Sequence, residues 1–293
     1  MRKTVNFAGA MSVFFLGVLQ IACAQREPAS DDLYGAVDEL YDTVVTAADR
    51  FNVIAEIDHS RLAAENGETM PPARVVIFSD PIVNTSILQQ EPQAGLDLPF
   101  RVLAYAEGHK PAVIPTTAEY LQRRHGLADG LALQQYEESI LSVVGAVPRD
   151  AVVVFDTSSL EKGQGIVTLS SAYGFEETIE RLKAVIMAEG DTIWFGDIDY
   201  REQAAALGVE LPGVTLLLFG APGPGGKAMA ERPRMGLDAF CQKVLVRQMP
   251  SGQIEVLFNE MPALSRLHYG DSALPHMVIT KRMRDTLGAA VEK

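Results

Sequence analysis

Laid against itself at an offset of 141 residues, the chain repeats. Glu56-Ile57-Asp58-His59 falls on Asp197-Ile198-Asp199-Tyr200, and the match runs ungapped for about forty residues. Gly67 meets Gly208, Pro71 meets Pro212, Phe78 meets Phe219, Pro81 meets Pro222 and Pro92 meets Pro233. Gly95-Leu96-Asp97 meets Gly236-Leu237-Asp238 and, with two residues of slack, Leu121-x-Arg123-x-His125 meets Leu264-x-Arg266-x-His268. Glycine and proline set backbone conformation, so keeping them in register means that one fold is drawn twice. The expected organisation is a first repeat over 34–148, a linker over 149–164 and a second repeat over 165–293.

Each repeat offers the same order of elements. Tyr34, Val37, Leu40, Tyr41, Val44 and Ala48 recur at helical spacing, with Asp31 and Asp32 available to cap the start; Phe175, Ile179, Leu182, Val185 and Ile186 do the same in the second repeat. Short β-type runs follow: Val53–Ile57, Val75–Phe78 and Arg101–Tyr105, then Ile193–Ile198, Thr215–Phe219 and Lys243–Arg247. Pro250-Ser251-Gly252 reads as the turn of a hairpin leading to Ile254–Phe258, and closing helices are expected near Ala132–Val144 and Met277–Ala289. Helices before and after strands joined by short turns argue for an α+β domain, an antiparallel sheet covered by helices. The second repeat has a leading strand at Ile166–Leu169. In the first repeat that place holds the polar Arg26–Asp32, so its leading strand is expected to be missing, and the apolar run Ala151–Phe155 is available to replace it.

Arg2 and Lys3 precede the acid-free apolar run from Phe7 to Ala22, which is shorter than a membrane span and gives way to small and then polar residues. The segment reads as a signal peptide over 1–24, with Ala22-Cys23-Ala24 before the cut and Gln25 as the mature start, followed by a disordered stretch over 25–33. The alternative is a lipoprotein anchored through Cys23. The expected location is periplasmic or secreted, with no transmembrane helix after cleavage. Cleavage removes the two positive charges of Arg2 and Lys3 and takes the formal charge from −13 to −15. So acidic a surface excludes nucleic acid as a partner. Of the two cysteines, cleavage leaves Cys241 alone, which excludes an intramolecular disulfide.

The stretch from Phe51 through Asp58-His59, then Ala73–Phe78 ending in Ser79-Asp80-Pro81, then Gly95-Leu-Asp-Leu-Pro99, and finally Arg124-His125-Gly126 resembles the family known as domain of unknown function 302. The second repeat keeps Ile198-Asp199, Phe219-Gly220-Ala-Pro222 and Gly236-Leu237-Asp238, but has Tyr200 for the histidine and Ala239-Phe240 for Leu-Pro. The resemblance implies a compact α+β fold whose single domains tend to pair, so a tandem chain is expected to be a monomeric pseudo-dimer. It implies no activity.

The candidate ligand-binding residues are Asp58, His59, Asp97 and His125. Asp58 and His59 end a predicted strand and His125 precedes the last helix, which allows them to meet at one end of the sheet. A carboxylate beside an imidazole can fix its tautomer or hold a proton near neutral pH. Against this, Asp58 suits a helix cap, a role Asp199 keeps whatever residue follows it. His125 and His268 both persist after duplication, which suggests a shared structural bond, such as closing a helix C-terminus, and Asp97 and Asp238 read as turn formers. Gly220-Ala-Pro-Gly-Pro-Gly-Gly226-Lys227 departs from a phosphate-binding loop at Ala221 and Ala228 and reads as a flexible turn. Cys241 is expected opposite Phe100 as a buried, inert thiol. Hydrolase, zinc and redox signatures are absent, so no cofactor and no metal are expected. The sequence supports a non-catalytic module that binds a small molecule or an envelope protein. The alternative is a small envelope enzyme using His59 with Asp58 or Asp97 as acid and base.

Overall fold

The computed structural model describes residues 30–293, so the expected signal peptide, with Cys23 and its expected cleavage site, lies outside the described residues. The first repeat runs α1 (Asp31–Ala48), β1 (Asn52–Asp58), α2 (His59–Glu65), β2 (Ala73–Ser79), α3 (Pro81–Leu88), a 3-10 turn (Pro92–Leu96), β3 (Phe100–Glu107), β4 (Lys110–Pro115), α4 (Ala118–His125) and α5 (Leu131–Val144). The second runs β5 (Ile166–Ser171), α6 (Phe175–Ala188), β6 (Ile193–Asp199), α7 (Tyr200–Ala206), β7 (Val214–Gly220), α8 (Pro222–Met229), a 3-10 turn (Pro233–Gly236), β8 (Gln242–Gln248), β9 (Ile254–Asn259), α9 (Met261–Tyr269) and α10 (Leu274–Val291). The fold is α+β, two antiparallel sheets covered by helices.

The sheets are ordered β1-β2-β3-β4 and β5-β9-β8-β7-β6, so among the described residues the first repeat lacks the outer strand that β5 gives the second. The linker covers part of that edge: Val152 forms a single parallel bridge to Val113, and the Val153 amide donates to the Val113 carbonyl at 2.8 Å. Pro111 and Pro115 on β4 offer no amide there, which blunts the remaining edge. On α1, Leu33, Val37, Tyr41, Val44 and Ala48 form the buried stripe that packs on β2, β3 and β4. Its cap is Ser30, whose hydroxyl accepts from the Leu33 amide, while Asp31 and Asp32 fill the first turn.

The other faces of the sheets close on each other. The 3-10 turn of the first repeat lies against β7, β8 and β9, and that of the second lies against β2 and β3. Helix α2 packs on α8 and α3 on α7. Apart from the contact with β9, these contacts have their mirrors under exchange of repeats, the mark of an isologous two-fold interface held within one chain.

The Gly-Pro segment after β7 is helix α8 and not the flexible turn its composition suggests. Pro222 stands at the first helical position, where its missing amide is harmless, and the bare Gly226 lets the helix press on α2. A Cβ on Gly226 would lie 2.6 Å from Cβ of Ala63. Tertiary packing here overrides the low helix propensity of glycine.

Candidate functional site

Asp58 ends β1 as the N-cap of α2. Its carboxylate accepts from the Arg61 amide at 2.9 Å and from the Ser60 hydroxyl at 2.7 Å, and it pairs with the Arg61 and Arg74 guanidinium groups. Asp199 repeats the cap on the Glu202 amide at 3.0 Å. Such a cap is worth about 1 kcal/mol.

His59, the first residue of α2, points across the interface. Its Nε2 donates to the Gly236 carbonyl at 3.2 Å. Tyr200 does the same in reverse, its hydroxyl donating to the Gly95 carbonyl at 3.4 Å. The histidine-to-tyrosine exchange therefore swaps one ring-borne donor for another, and it explains the glycine of the Gly-Leu-Asp motif. A Cβ on Gly236 would stand 2.8 Å from Cδ2 of His59, and one on Gly95 would stand 3.3 Å from Cε2 of Tyr200. Burial pushes the His59 imidazole down to about 4, so the ring is neutral at pH 7 with its proton on Nε2. No carboxylate bonds to it.

Asp97 and His125 do meet. Nε2 of His125 donates to Oδ2 of Asp97 at 2.8 Å, and Nη1 of Arg124 reaches the same oxygen at 2.6 Å. Oδ1 accepts from Nζ of Lys243, a residue of the second repeat, at 3.0 Å, with Nη2 of Arg101 at 3.6 Å. Arg124 also donates to the Gln164 and Gly165 carbonyls and to Oδ1 of Asn259, whose own amide donates to the Asp238 carbonyl at 3.2 Å. In the second repeat His268 donates to Asp238 at 3.0 Å. Asp97, Arg124 and His125 are sealed from solvent.

Burial alone would push the Asp97 carboxyl up; Arg124 and Lys243 overcome it and hold the group well below the ordinary carboxylate range. Burial, seconded by the neighbouring Arg101, brings Lys243 down to about 8. His125 is lowered by burial in spite of Asp97 and is a neutral donor. The retained histidines thus bond a buried aspartate and do not close a helix, since the Gly126 amide does that for α4 by bonding the Gln122 carbonyl. Asp97 and Asp238 are charge centres of the interface as well as turn residues.

The candidate residues accordingly separate into three places. Asp58 lies among surface arginines, His59 bonds Gly236, and Asp97 joins His125. No hydrogen bond links His59 to Asp97 or to His125 among the described residues, so the carboxylate an acid–base role would require at His59 is absent. Sequence reasoning missed Arg101, Arg124 and Lys243. The signal was available as a cation inside each apolar strand, at Arg101 of β3 and Lys243 of β8, and as the arginine of Arg124-His125-Gly126.

His59 also lines a narrow, half-open cleft between the repeats, with about 20 Å³ of water-accessible space. Ile57 and Leu62 come from the first repeat; Phe195, Pro222, Met229, Phe240 and Cys241 come from the second. Strand register puts Gln242 in the place of Phe100, both facing the residue pair Phe78 and Phe219, so Cys241 matches Pro99 and not Phe100. The extra residue between Asp238 and β8 shifts it. Cys241 is buried, and burial pushes its thiol up to about 11.

The two sides of the pseudo-dyad differ in the residues at this position. At the related position Tyr200 replaces His59, and Ile82, Asn84 and Thr85 of α3 replace Gly223, Gly225 and Gly226 of α8.

A stretch of 101 residues is 33% identical to fluoride-specific ion channel FluC 1 of Brucella suis biovar 1 (strain 1330), covering 34% of this chain and 39% of the channel. FluC 1 of Brucella abortus biovar 1 (strain 9-941) matches at the same identity over 37% of its length. The chain thus spans about two fifths of these relatives. No helix among the described residues is long and apolar enough to cross a membrane. A crystal structure of an uncharacterized conserved DUF302 protein from Bacillus stearothermophilus aligns over 43% of this chain and 95% of its own, with 18% identity and a TM-score of 0.36. The family model for the domain of unknown function DUF302 matches residues 31–147 and again 167–293, one match on each half of the pseudo-dyad. The chain belongs to the DUF302 family and carries its domain twice.

Proposed function

We propose that this chain is an exported, non-catalytic module that binds a small ligand in the cleft between its two domains. One observation carries the reading: both domains line an apolar cleft that places a neutral imidazole, fixed in one tautomer, at a position where the duplicate has a tyrosine. Mostly apolar walls with one oriented polar group are what small-molecule sites use. The absence of catalysis is supported by the one carboxylate–imidazole pair of the first domain being sealed and ion-paired, out of reach of any substrate. Export is supported by the pattern of residues 1–24, and a periplasmic or secreted location follows from it. The Brucella relatives are named as ion channels; their conduction is not carried over, and the match supports at most a stretch of this kind serving beside an ion-handling protein.

The test is the melting temperature of the mature chain against a panel of metal ions and small metabolites. At least one member is expected to raise it, with His59→Ala removing the shift. A panel without effect, or a shift that survives His59→Ala, overturns the proposal.

A further inference from the structure

Three of the side chains around the cleft carry soft or borderline metal donors: the imidazole of His59, the thioether of Met229 and the thiol of Cys241. All three are more than nine-tenths buried. Under the pseudo-dyad their counterparts are Tyr200, Leu88 and Pro99, none of which is a soft donor. At three positions around one cleft the two repeats therefore differ, with the nitrogen or sulfur donors all on the same side. The chain has no metal-ligand spacing because the fold draws these residues from positions 59, 229 and 241.

The local chemistry favours one class of ion. Nε2–H of His59 is held by the Gly236 carbonyl, the outer bond that commonly orients a metal-bound histidine, and this leaves the lone pair on Nδ1 with no hydrogen-bond partner among the described residues. Thiolate and thioether sulfur select soft d10 cations. Charge narrows the choice further. A monovalent cation with one thiolate makes a neutral unit, which suits walls of Ile57, Leu62, Phe195 and Phe240, whereas a divalent ion would leave a net charge buried there.

Building on the cleft reading, we propose that His59, Met229 and Cys241 form a site for a single thiophilic monovalent cation, Cu(I) or its redox-silent analogue Ag(I). Binding forms the metal–sulfur bond of Cys241 and releases the thiol proton to solvent, with no change of oxidation state.

The experiment uses the full chain with Cys23→Ser, which leaves Cys241 as its sole thiol. Ag(I) is titrated under anaerobic conditions while proton release and melting temperature are followed, and Cu(I) uptake is measured by competition with a coloured chelator. One metal ion and one released proton per chain are expected, with a raised melting temperature. Cys241→Ser abolishes uptake. Met229→Leu, a volume-conserving change to the residue of the duplicate, and His59→Tyr each weaken it at least about tenfold. Absence of uptake, or uptake that Cys241→Ser and Met229→Leu leave unchanged, overturns the metal site. If metal fails while a small organic ligand still gives a His59-dependent shift, the cleft stands and the cation falls. If no ligand of either kind acts, both fall.

Discussion

Nε2 of His59 donates to the carbonyl of Gly236 at 3.2 Å, and the duplicate of that bond joins Tyr200 to Gly95 at 3.4 Å. Each domain thus inserts one ring against a glycine of the other. The motif glycine is required by the closeness of that ring, since neither Gly95 nor Gly236 has a positive φ.

Gly236→Ala would put a Cβ 2.8 Å from the His59 ring and 3.1 Å from Leu103, at the seam between the domains. A loss of about 1–3 kcal/mol is expected from such overpacking, read from the urea midpoint. Gly35→Ala on α1, where a Cβ meets nothing within 4 Å, is expected to stabilise by about 0.4–1 kcal/mol. Equal effects at the two sites would contradict the close approach.

Asp97→Asn removes the carboxylate shared by Arg101, Arg124, His125 and Lys243 and leaves three buried cations uncompensated. About 3–5 kcal/mol of stability should be lost. Asp238→Asn, whose carboxylate bonds His268 alone, should lose less. Denaturant titration of both variants orders them.

The repeat, the chain order of most strands and the α+β class were legible because glycine, proline and apolar periodicity act locally. That the first sheet has one strand fewer than the second among the described residues was legible too, from the polar composition of Arg26–Asp32. The partners across the interface were not. Arg124 and Asn259, or His59 and Gly236, stand more than a hundred residues apart, and only packing brings them together. Helix α8 was hidden for the same reason, because its glycines answer to Ala63 of another domain.

Stability should fall as the solution is acidified. The unfolded His59 takes up a proton near 6.5 and the folded one only near 4, so between those values the unfolded state binds more protons and gains. About 3 kcal/mol is lost across that window from this ring, and His125 shifts in the same direction. Asp97 and Asp238, depressed in the fold, add their loss below the ordinary carboxylate value. Urea midpoints at pH 7, 5.5 and 4 test the slope, and His59→Tyr should flatten it between 6.5 and 4.

Expressed with its N-terminal segment in a bacterium, the chain should be recovered outside the cytoplasm beginning at Gln25. Intact-mass measurement distinguishes this from an acylated Cys23 and from an uncut chain.

The cleft, the buried ion pairs and the paired glycine contacts all require the two domains to fold as one body. Scanning calorimetry of the mature chain measures this directly. One transition with equal calorimetric and van't Hoff enthalpies is predicted. Two separable transitions, or a van't Hoff enthalpy near twice the calorimetric value from association of chains, would contradict an interlocked pseudo-dimer.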